Sequence, residues 1–159
     1  MFFRPTDLVI HHSKTKDGVT VSWSAIRKYH TTNPRLMWDD IGYHFGVELV
    51  NVYYEVLLGR MPYMQGAHCR AGGMNGKALG LCVVGDFDKH EPPIMQFNLA
   101  ASVGSWICHV LNIPVENIKG HRDYDSGKSC PGRLFDMEAF RVKVSSIDAP
   151  IFGVGGRNA

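Results

Sequence analysis

The residues that could do chemistry are concentrated in one polar segment, GHRDYDSGKSCPG, at positions 120–132. Eight residues separate His121 from Cys130 in it, and the Pro131-Gly132 pair that follows predicts a turn. One imidazole and one thiolate are two of the three protein ligands that a catalytic zinc site needs, with the fourth position left to water. The spacing alone is weak support, because a histidine and a cysteine in one loop are more often unrelated.

A third ligand would have to come from elsewhere in the fold, and the segment LVIHHS at residues 8–13 is the natural source. Its apolar run predicts a buried strand that ends at two adjacent histidines. Successive side chains of a strand point to opposite faces of the sheet, so His11 and His12 cannot do the same job. The residues alone leave open which of the two would bind a metal.

The elements that must position these residues begin with a strand over residues 7–13. A helix is expected over residues 23–30, with Ser22 as its N-cap. Two aromatic-rich strands follow, joined at Val50-Asn51. The continuous apolar run in LGLCVVGDF predicts a strand buried on both faces of the sheet.

The second half of the chain predicts two helices separated by a polar loop. Apolar residues at helical spacing indicate a long helix that ends at Asn112-Ile113-Pro114. Residues 116–132 are expected to form the loop. The element order predicts an α/β fold with a central mixed β-sheet flanked by helices. The last helix would present four apolar residues on one face: Leu134, Met137, Phe140 and Val144.

Composition predicts a single domain over residues 1–159, with a core of about 7–147 and a tail at 148–159. A formal charge of +2 is too small to favour a nucleic-acid partner. No run approaches ~18 consecutive apolar residues, so membrane insertion is not expected. The start MFFRPTD lacks the features of a signal peptide, so synthesis in the cytoplasm is expected.

The chain contains four cysteines: Cys69, Cys82, Cys108 and Cys130. Their even number would permit two disulfides. A domain of this size needs none, however, and the spacing matches no small disulfide scaffold, so free thiols are expected.

Several short fragments occur in an order that resembles a known family. VIHHS, IRKYH, GYHF, GAH with GLCVVGDF, and GHRD followed by KSCPG span roughly residues 7–142. Together they resemble the zinc-dependent N-acetylmuramoyl-L-alanine amidases of type 2, a family that includes phage lysozyme-like endolysins and peptidoglycan recognition proteins. The resemblance implies a mixed sheet with helices on both sides and one Zn²⁺ at the floor of a groove.

The resemblance also implies a ligand set. His11, His121 and Cys130 match the family's zinc ligands, which selects His11 over His12. Some members carry aspartate where Cys130 stands, so the cysteine indicates the endolysin and recognition-protein branch. Zinc held in this way would generate hydroxide near neutral pH to attack the amide that joins N-acetylmuramic acid to L-alanine.

Two further positions are implied to be catalytic and two to contact the substrate. Tyr43 and Lys128 match residues that stabilise the oxyanion in the family. His68 matches a histidine in the family's substrate groove, and Asn75 matches the asparagine that follows it. The gap between His68 and Asn75 is longer here by about two residues, so this groove wall is expected to differ. The remaining histidines are expected to be packed (His12, His30, His44) or exposed (His90, His109).

The resemblance leaves three functions to compare, all with bacterial peptidoglycan as the partner. Non-catalytic recognition proteins typically lose the cysteine ligand, and cytoplasmic enzymes that recycle muropeptides typically have aspartate there. Cys130 therefore favours a hydrolase that cuts the cell wall. Small size and the absence of a signal peptide fit a monomeric phage or prophage endolysin that leaves the cytoplasm through a holin pore.

Overall fold

The chain folds into five β-strands and three α-helices over the residues that the structure, a computed structural model, describes: 3–16 and 21–147. Short 3-10 turns lie between some of these elements. In chain order the elements are β1 (Asp7–His12), α1 (Trp23–Thr32), β2 (Phe45–Val50), β3 (Tyr53–Leu58), β4 (Ala78–Val83), α2 (Ile94–Leu111), β5 (Ile118–Gly120) and α3 (Met137–Ser145).

The strands form one mixed sheet in the order β3-β2-β4-β1-β5. β1 runs parallel to β4 and β5, β2 runs parallel to β4, and β2 pairs antiparallel with β3. Helices α2 and α3 pack on one face and α1 on the other, which confirms the predicted α/β architecture. All six residues of β4 are buried, because strands flank it on both sides and helices cover both faces.

The strand β5 was not predicted. Its three residues, Ile118-Lys119-Gly120, lie inside the segment that we expected to be a polar loop. They pair with Leu8, Val9 and Ile10 of β1. A strand this short, with a lysine in the middle, carries too little hydrophobic alternation to be recognised from the sequence.

The alternation of β1 divides its side chains between two environments. Leu8 and Ile10 face α2 and α3 in the main hydrophobic core, whereas Val9 faces the other side of the sheet. By the same alternation, His12 lies on the side of Leu8 and Ile10, and His11 lies on the side of Val9.

Helix α2 is the longest element and the most apolar of the three α-helices. It spans 18 residues with a mean hydropathy of 1.3, so by length and composition it could cross a membrane. A core helix of a globular protein has the same properties. Buried residues of α2 such as Ala100 and Ile107 belong to the main core, and the helix ends where expected, at Asn112 in the left-handed conformation.

Ser22 is the N-cap residue of α1, as predicted, but its side chain makes no cap bond to a backbone N–H and its φ is 74°. Its hydroxyl bonds the hydroxyl of Ser24 at 2.6 Å, and the carboxylate of Glu48 accepts the N–H groups of Val21 and Ser22, both at 2.6 Å. The predicted start of α3 is wrong. Leu134 precedes α3 and is 44% exposed, because the helix begins only after Asp136, whose side chain accepts two backbone N–H groups.

The four cysteines are free thiols, as predicted, and three of them are buried. The expected tail at 148–159 lies outside the described residues.

Candidate metal centre

The structure brings the three predicted ligands together at the carboxyl end of β1. His11 is the second-last residue of that strand, and Ile10, which precedes it, pairs with Gly120 of β5. Because the two strands are parallel, His121, the first residue after β5, emerges beside His11. The ligand atoms of His11, His121 and Cys130 all lie within 4.8 Å of one another. The unpredicted strand β5 is therefore the element that positions the second ligand.

The spacing of these atoms fits a tetrahedral metal ion. His11 Nδ1 lies 3.5 Å from Cys130 Sγ. Tetrahedral zinc, with Zn–N and Zn–S bonds of about 2.05 and 2.3 Å, holds such a nitrogen and sulfur about 3.6 Å apart. His11 is fully buried, whereas His121 and Cys130 are partly exposed, so the cluster is open on one side. Two imidazoles and a thiol with one open side fit a catalytic zinc site.

Both histidines of the cluster are uncharged near pH 7. Burial, with neighbouring imidazoles adding to it, holds the pKa of His11 well below its usual value. Burial and then the charge of Lys128 lower the pKa of His121. A neutral imidazole keeps one lone pair on the ring, which is the form that binds metal.

The thiol of Cys130 is protonated when no cation is near. Burial raises its pKa to about 12, although the backbone N–H of His12 and the charge of Lys128 both act in the opposite direction. A bound metal cation supplies the missing positive charge, so the thiol would lose its proton on binding.

Side chains next to the candidate ligands hold the ligand loop, residues 121–132, in place. The sequence analysis did not identify these side chains. The Arg122 guanidinium donates to the carbonyl oxygens of Gly132 and Phe135, and the Asp123 carboxylate accepts the N–H of Gly120 at 2.8 Å. Gly132 has a φ of 115° and a Cβ there would lie 2.4 Å from the carbonyl carbon of Phe87, so only glycine fits. Three consecutive residues thus have different roles: His121 is a candidate ligand, Arg122 holds the loop, and Asp123 caps the turn.

Tyr43 and Lys128 both lie near the ligands, as the resemblance implied. The ring of Tyr43 packs against that of His11, with 5.2 Å between centroids. Burial, and then the nearby thiols of Cys82 and Cys130, raise the pKa of Tyr43 well above its usual value, so the phenol stays protonated. Lys128 is exposed in the ligand loop, close enough to lower the pKa of His121.

His68 and Asn75 lie near the candidate ligands, and the contact of each with the substrate stays a prediction. His68 is buried behind His11 and its two ring nitrogens are occupied, at 3.0 Å from His11 Nε2 and 3.1 Å from the oxygen of Ala78. Both ring nitrogens are thus used within the protein. The side-chain oxygen of Asn75 accepts the N–H groups of His68 and Cys69, at 2.8 and 2.7 Å, which closes the loop between these residues.

The other histidines occupy the environments expected of them. His12 is buried and its Nδ1 accepts the N–H of Phe87 at 3.2 Å. His30 accepts the N–H of Gly42, and His44 bonds to Met64 and Gly80. His90 and His109 are exposed.

Comparison with known proteins identifies the family. Residues 2–133 match the family model described as N-acetylmuramoyl-L-alanine amidase. The chain belongs to this family. The endolysin of Enterobacteria phage K11 is 30% identical over 132 residues, covering 81% of this chain and 80% of that protein. Peptidoglycan-recognition protein 2 of Holotrichia diomphalia is 34% identical over 96 residues, covering 57% and 48% of the two chains.

Solved structures with this fold include both enzymes and recognition proteins. The N-acetylmuramoyl-L-alanine amidase LysC from Clostridium intestinale URNW superposes with a TM-score of 0.72 at 24% identity, covering 90% of this chain and 87% of that one. Wild-type Drosophila PGRP-LB superposes with a TM-score of 0.67 at 27% identity, covering 91% and 82%. The predicted fold and family are confirmed by these matches.

Two open hollows of this amidase-family chain are lined by neighbours of the candidate ligands, one by Tyr43 and the other by Lys128. One, of about 360 Å³, is mainly apolar and extends from Tyr43 along α1; its lining includes Val21, Ala25, Ile26 and Tyr29. The other, of about 500 Å³, lies along the ligand loop and is basic; its lining includes Lys14, Arg122, Lys128 and Arg133. Two hollows of different polarity thus adjoin the residues that flank the candidate centre.

Proposed function

We propose that this chain hydrolyses the amide bond between N-acetylmuramic acid and L-alanine in bacterial peptidoglycan, and that it is a phage or prophage endolysin. The observation that carries the proposal is the convergence of His11, His121 and Cys130 in a member of the amidase family. Endolysin relatives that align over more than four-fifths of the chain support the biological role.

The residues divide into those that would hold zinc and those that would act on the substrate. His11 and His121, neutral and with lone pairs available, and Cys130 as thiolate would bind one Zn²⁺ per chain. When bound, the ion supplies Lewis-acid polarisation of the amide carbonyl and a source of nucleophilic water near neutral pH.

Lys128 and Tyr43 are assigned to the oxyanion that develops on the carbonyl oxygen. Lys128 brings a positive charge on the flexible side chain of the ligand loop, two residues before Cys130. Tyr43 brings a phenol that burial keeps protonated, so it acts as a hydrogen-bond donor and not as a base. Donors aimed at developing charge in a partly buried site are among the largest contributions to catalysis.

The presence of Cys130 as a third candidate ligand favours hydrolysis over binding alone. A recognition protein without catalysis has no need of a complete ligand set, yet the Cys130 thiol lies within contact distance of His11 Nδ1. The same cysteine distinguishes this chain from the enzymes that recycle muropeptides, where aspartate is typical. We also assign synthesis in the cytoplasm, exit through a holin pore and action as a monomer, on the strength of the endolysin relatives.

The decisive experiment is a turbidity assay on purified cell walls, followed by mass analysis of the products. EDTA should abolish lysis and added zinc should restore it. The products should contain free N-terminal L-alanine and intact glycan strands. New reducing sugar ends would show a glycosidase and contradict the proposal, as would lysis that EDTA does not affect.

A further inference from the structure

His68 occupies a space that the backbone leaves open for it. The ring is buried between two glycines: a Cβ at Gly80 would lie 2.6 Å from its Cγ, and one at Gly66 would lie 2.4 Å from its Cδ2. Real Cβ atoms do not approach other atoms so closely, so any larger residue at either position would displace the ring. The absence of a side chain at Gly66 and at Gly80 therefore leaves the space that this imidazole occupies.

The hydrogen bonds of His68 determine which nitrogen carries its proton. Nε2 lies 3.1 Å from the carbonyl oxygen of Ala78, which can only accept, so the proton is on Nε2. Among the described residues no carboxylate forms an ion pair with His68, and a buried charged ring without one would be costly, so the ring is neutral. Its Nδ1 is therefore an acceptor.

The tautomer of His11 follows from that of His68. Nε2 of His11 lies 3.0 Å from the accepting Nδ1 of His68, so this nitrogen must be the donor. The proton of a neutral His11 is then on Nε2, and the lone pair is on Nδ1. That nitrogen faces the Cys130 sulfur at 3.5 Å. A chain of two hydrogen bonds thus runs from a backbone carbonyl of β4 to the buried ligand.

We propose that His68 is a positioning residue for the metal centre: it holds the Nε2 proton and the ring orientation of His11, so that Nδ1 is presented to the metal. The inference rests on the proposed function only in taking zinc as the metal. Partners of this kind also make a ligand more basic, and their loss typically weakens metal affinity 10–100-fold.

The test compares two substitutions of nearly equal size, His68→Asn and His68→Leu. The Asn side-chain oxygen stands close to where Nδ1 of the histidine stood, so it can still accept from His11, whereas Leu cannot. Zinc affinity is measured by competition with a chromophoric chelator, and the geometry of the centre by the visible spectrum of the Co²⁺-substituted protein. We expect His68→Leu to bind zinc about 10–100-fold more weakly, with an altered cobalt spectrum, and His68→Asn to remain within a few-fold of the native protein.

His44→Phe is the matched control. His44 is also buried and its ring lies edge-on to that of His68, with 5.6 Å between centroids, but its hydrogen bonds go to Met64 and Gly80. This variant should lose stability in thermal melts and keep its zinc affinity and cobalt spectrum.

Equal zinc affinity in His68→Leu and the native protein would overturn the proposal, and so would equal losses in His68→Leu and His68→Asn. If His68→Leu does not fold, His68→Phe replaces it; if neither folds, a loss of more than tenfold in His68→Asn overturns the proposal. Because zinc affinity is measured without substrate, failure of the native protein to lyse cell walls would contradict the proposed function and leave this result standing.

Discussion

His11 and His12 are neighbours in sequence and are both buried, but their side chains lie on opposite faces of the sheet. His11 uses both ring nitrogens on polar partners, Nε2 on His68 and Nδ1 toward Cys130. His12 lies on the side of the main core, where its ring packs against Phe87 and accepts one backbone N–H from the same residue.

The difference shows that residue type and burial do not identify a metal ligand. Burial lowers the pKa of both rings, so both are neutral and both retain a lone pair. The lone pair of His12 is used by the N–H of Phe87, whereas that of His11 points at a second possible ligand. What distinguishes a candidate ligand is a lone pair that points at another atom able to bind a metal, here the Cys130 sulfur, and not at a backbone N–H.

His11→Ala is the strongest test of whether His11, and not His12, binds the metal. It should abolish both stoichiometric zinc binding and lysis of cell walls, because the buried member of the proposed ligand set is removed. Stability should fall by roughly 1–3 kcal/mol, because the buried Nδ1 of His68 loses its donor. Metal analysis after dialysis and the turbidity assay check it.

His12→Ala is the control for that experiment and should keep one zinc per chain. If His12→Ala loses the metal and His11→Ala keeps it, the two faces of β1 have been assigned the wrong way round.

Lys128→Ala should reduce catalysis and leave metal binding intact at the centre that contains His11. Loss of one group that stabilises an oxyanion reduces kcat on the order of 10²–10³-fold. Zinc content should stay at one per chain, because Lys128 is not among the three proposed ligands, and KM should change less than kcat. Steady-state kinetics on soluble muropeptides provide both parameters.

Lys28→Ala, an exposed lysine on α1, is the matched control and should leave kcat unchanged. Near-native turnover of Lys128→Ala would reduce Lys128 to a solvated loop charge.

The sequence was informative where a pattern was long enough or a fragment specific enough. The apolar runs of β1 and β4 and the helical spacing of α2 predicted those elements, and strand alternation separated His11 from His12. The three residues of β5 were too few to show a pattern, although this strand brings His121 to His11.

His68 shows a different limit of sequence reasoning. Fragment order located it near the site, but order does not show whether a side chain faces a groove or the back of a ligand. The distinction depends on the loop that Asn75 closes and on the space left by Gly66 and Gly80. These contacts join residues that are close in the chain, but they depend on the three-dimensional path of the loop, which no hydrophobic pattern shows.

The smallest expected effect is on the His12 side, where His12→Ala should lower stability and leave the metal in place. The N–H of Phe87 would lose its acceptor while still buried, which costs roughly 1–3 kcal/mol in the free energy of unfolding. His12→Phe fills the volume without restoring the acceptor, so it separates the hydrogen bond from the packing and should still be destabilised. His109→Ala, on the exposed side of α2, should stay within about 0.5 kcal/mol of the native protein. Urea unfolding of the metal-free proteins measures the three differences without any contribution from zinc, and native-like stability of His12→Phe would mean that the bond from Phe87 contributes nothing.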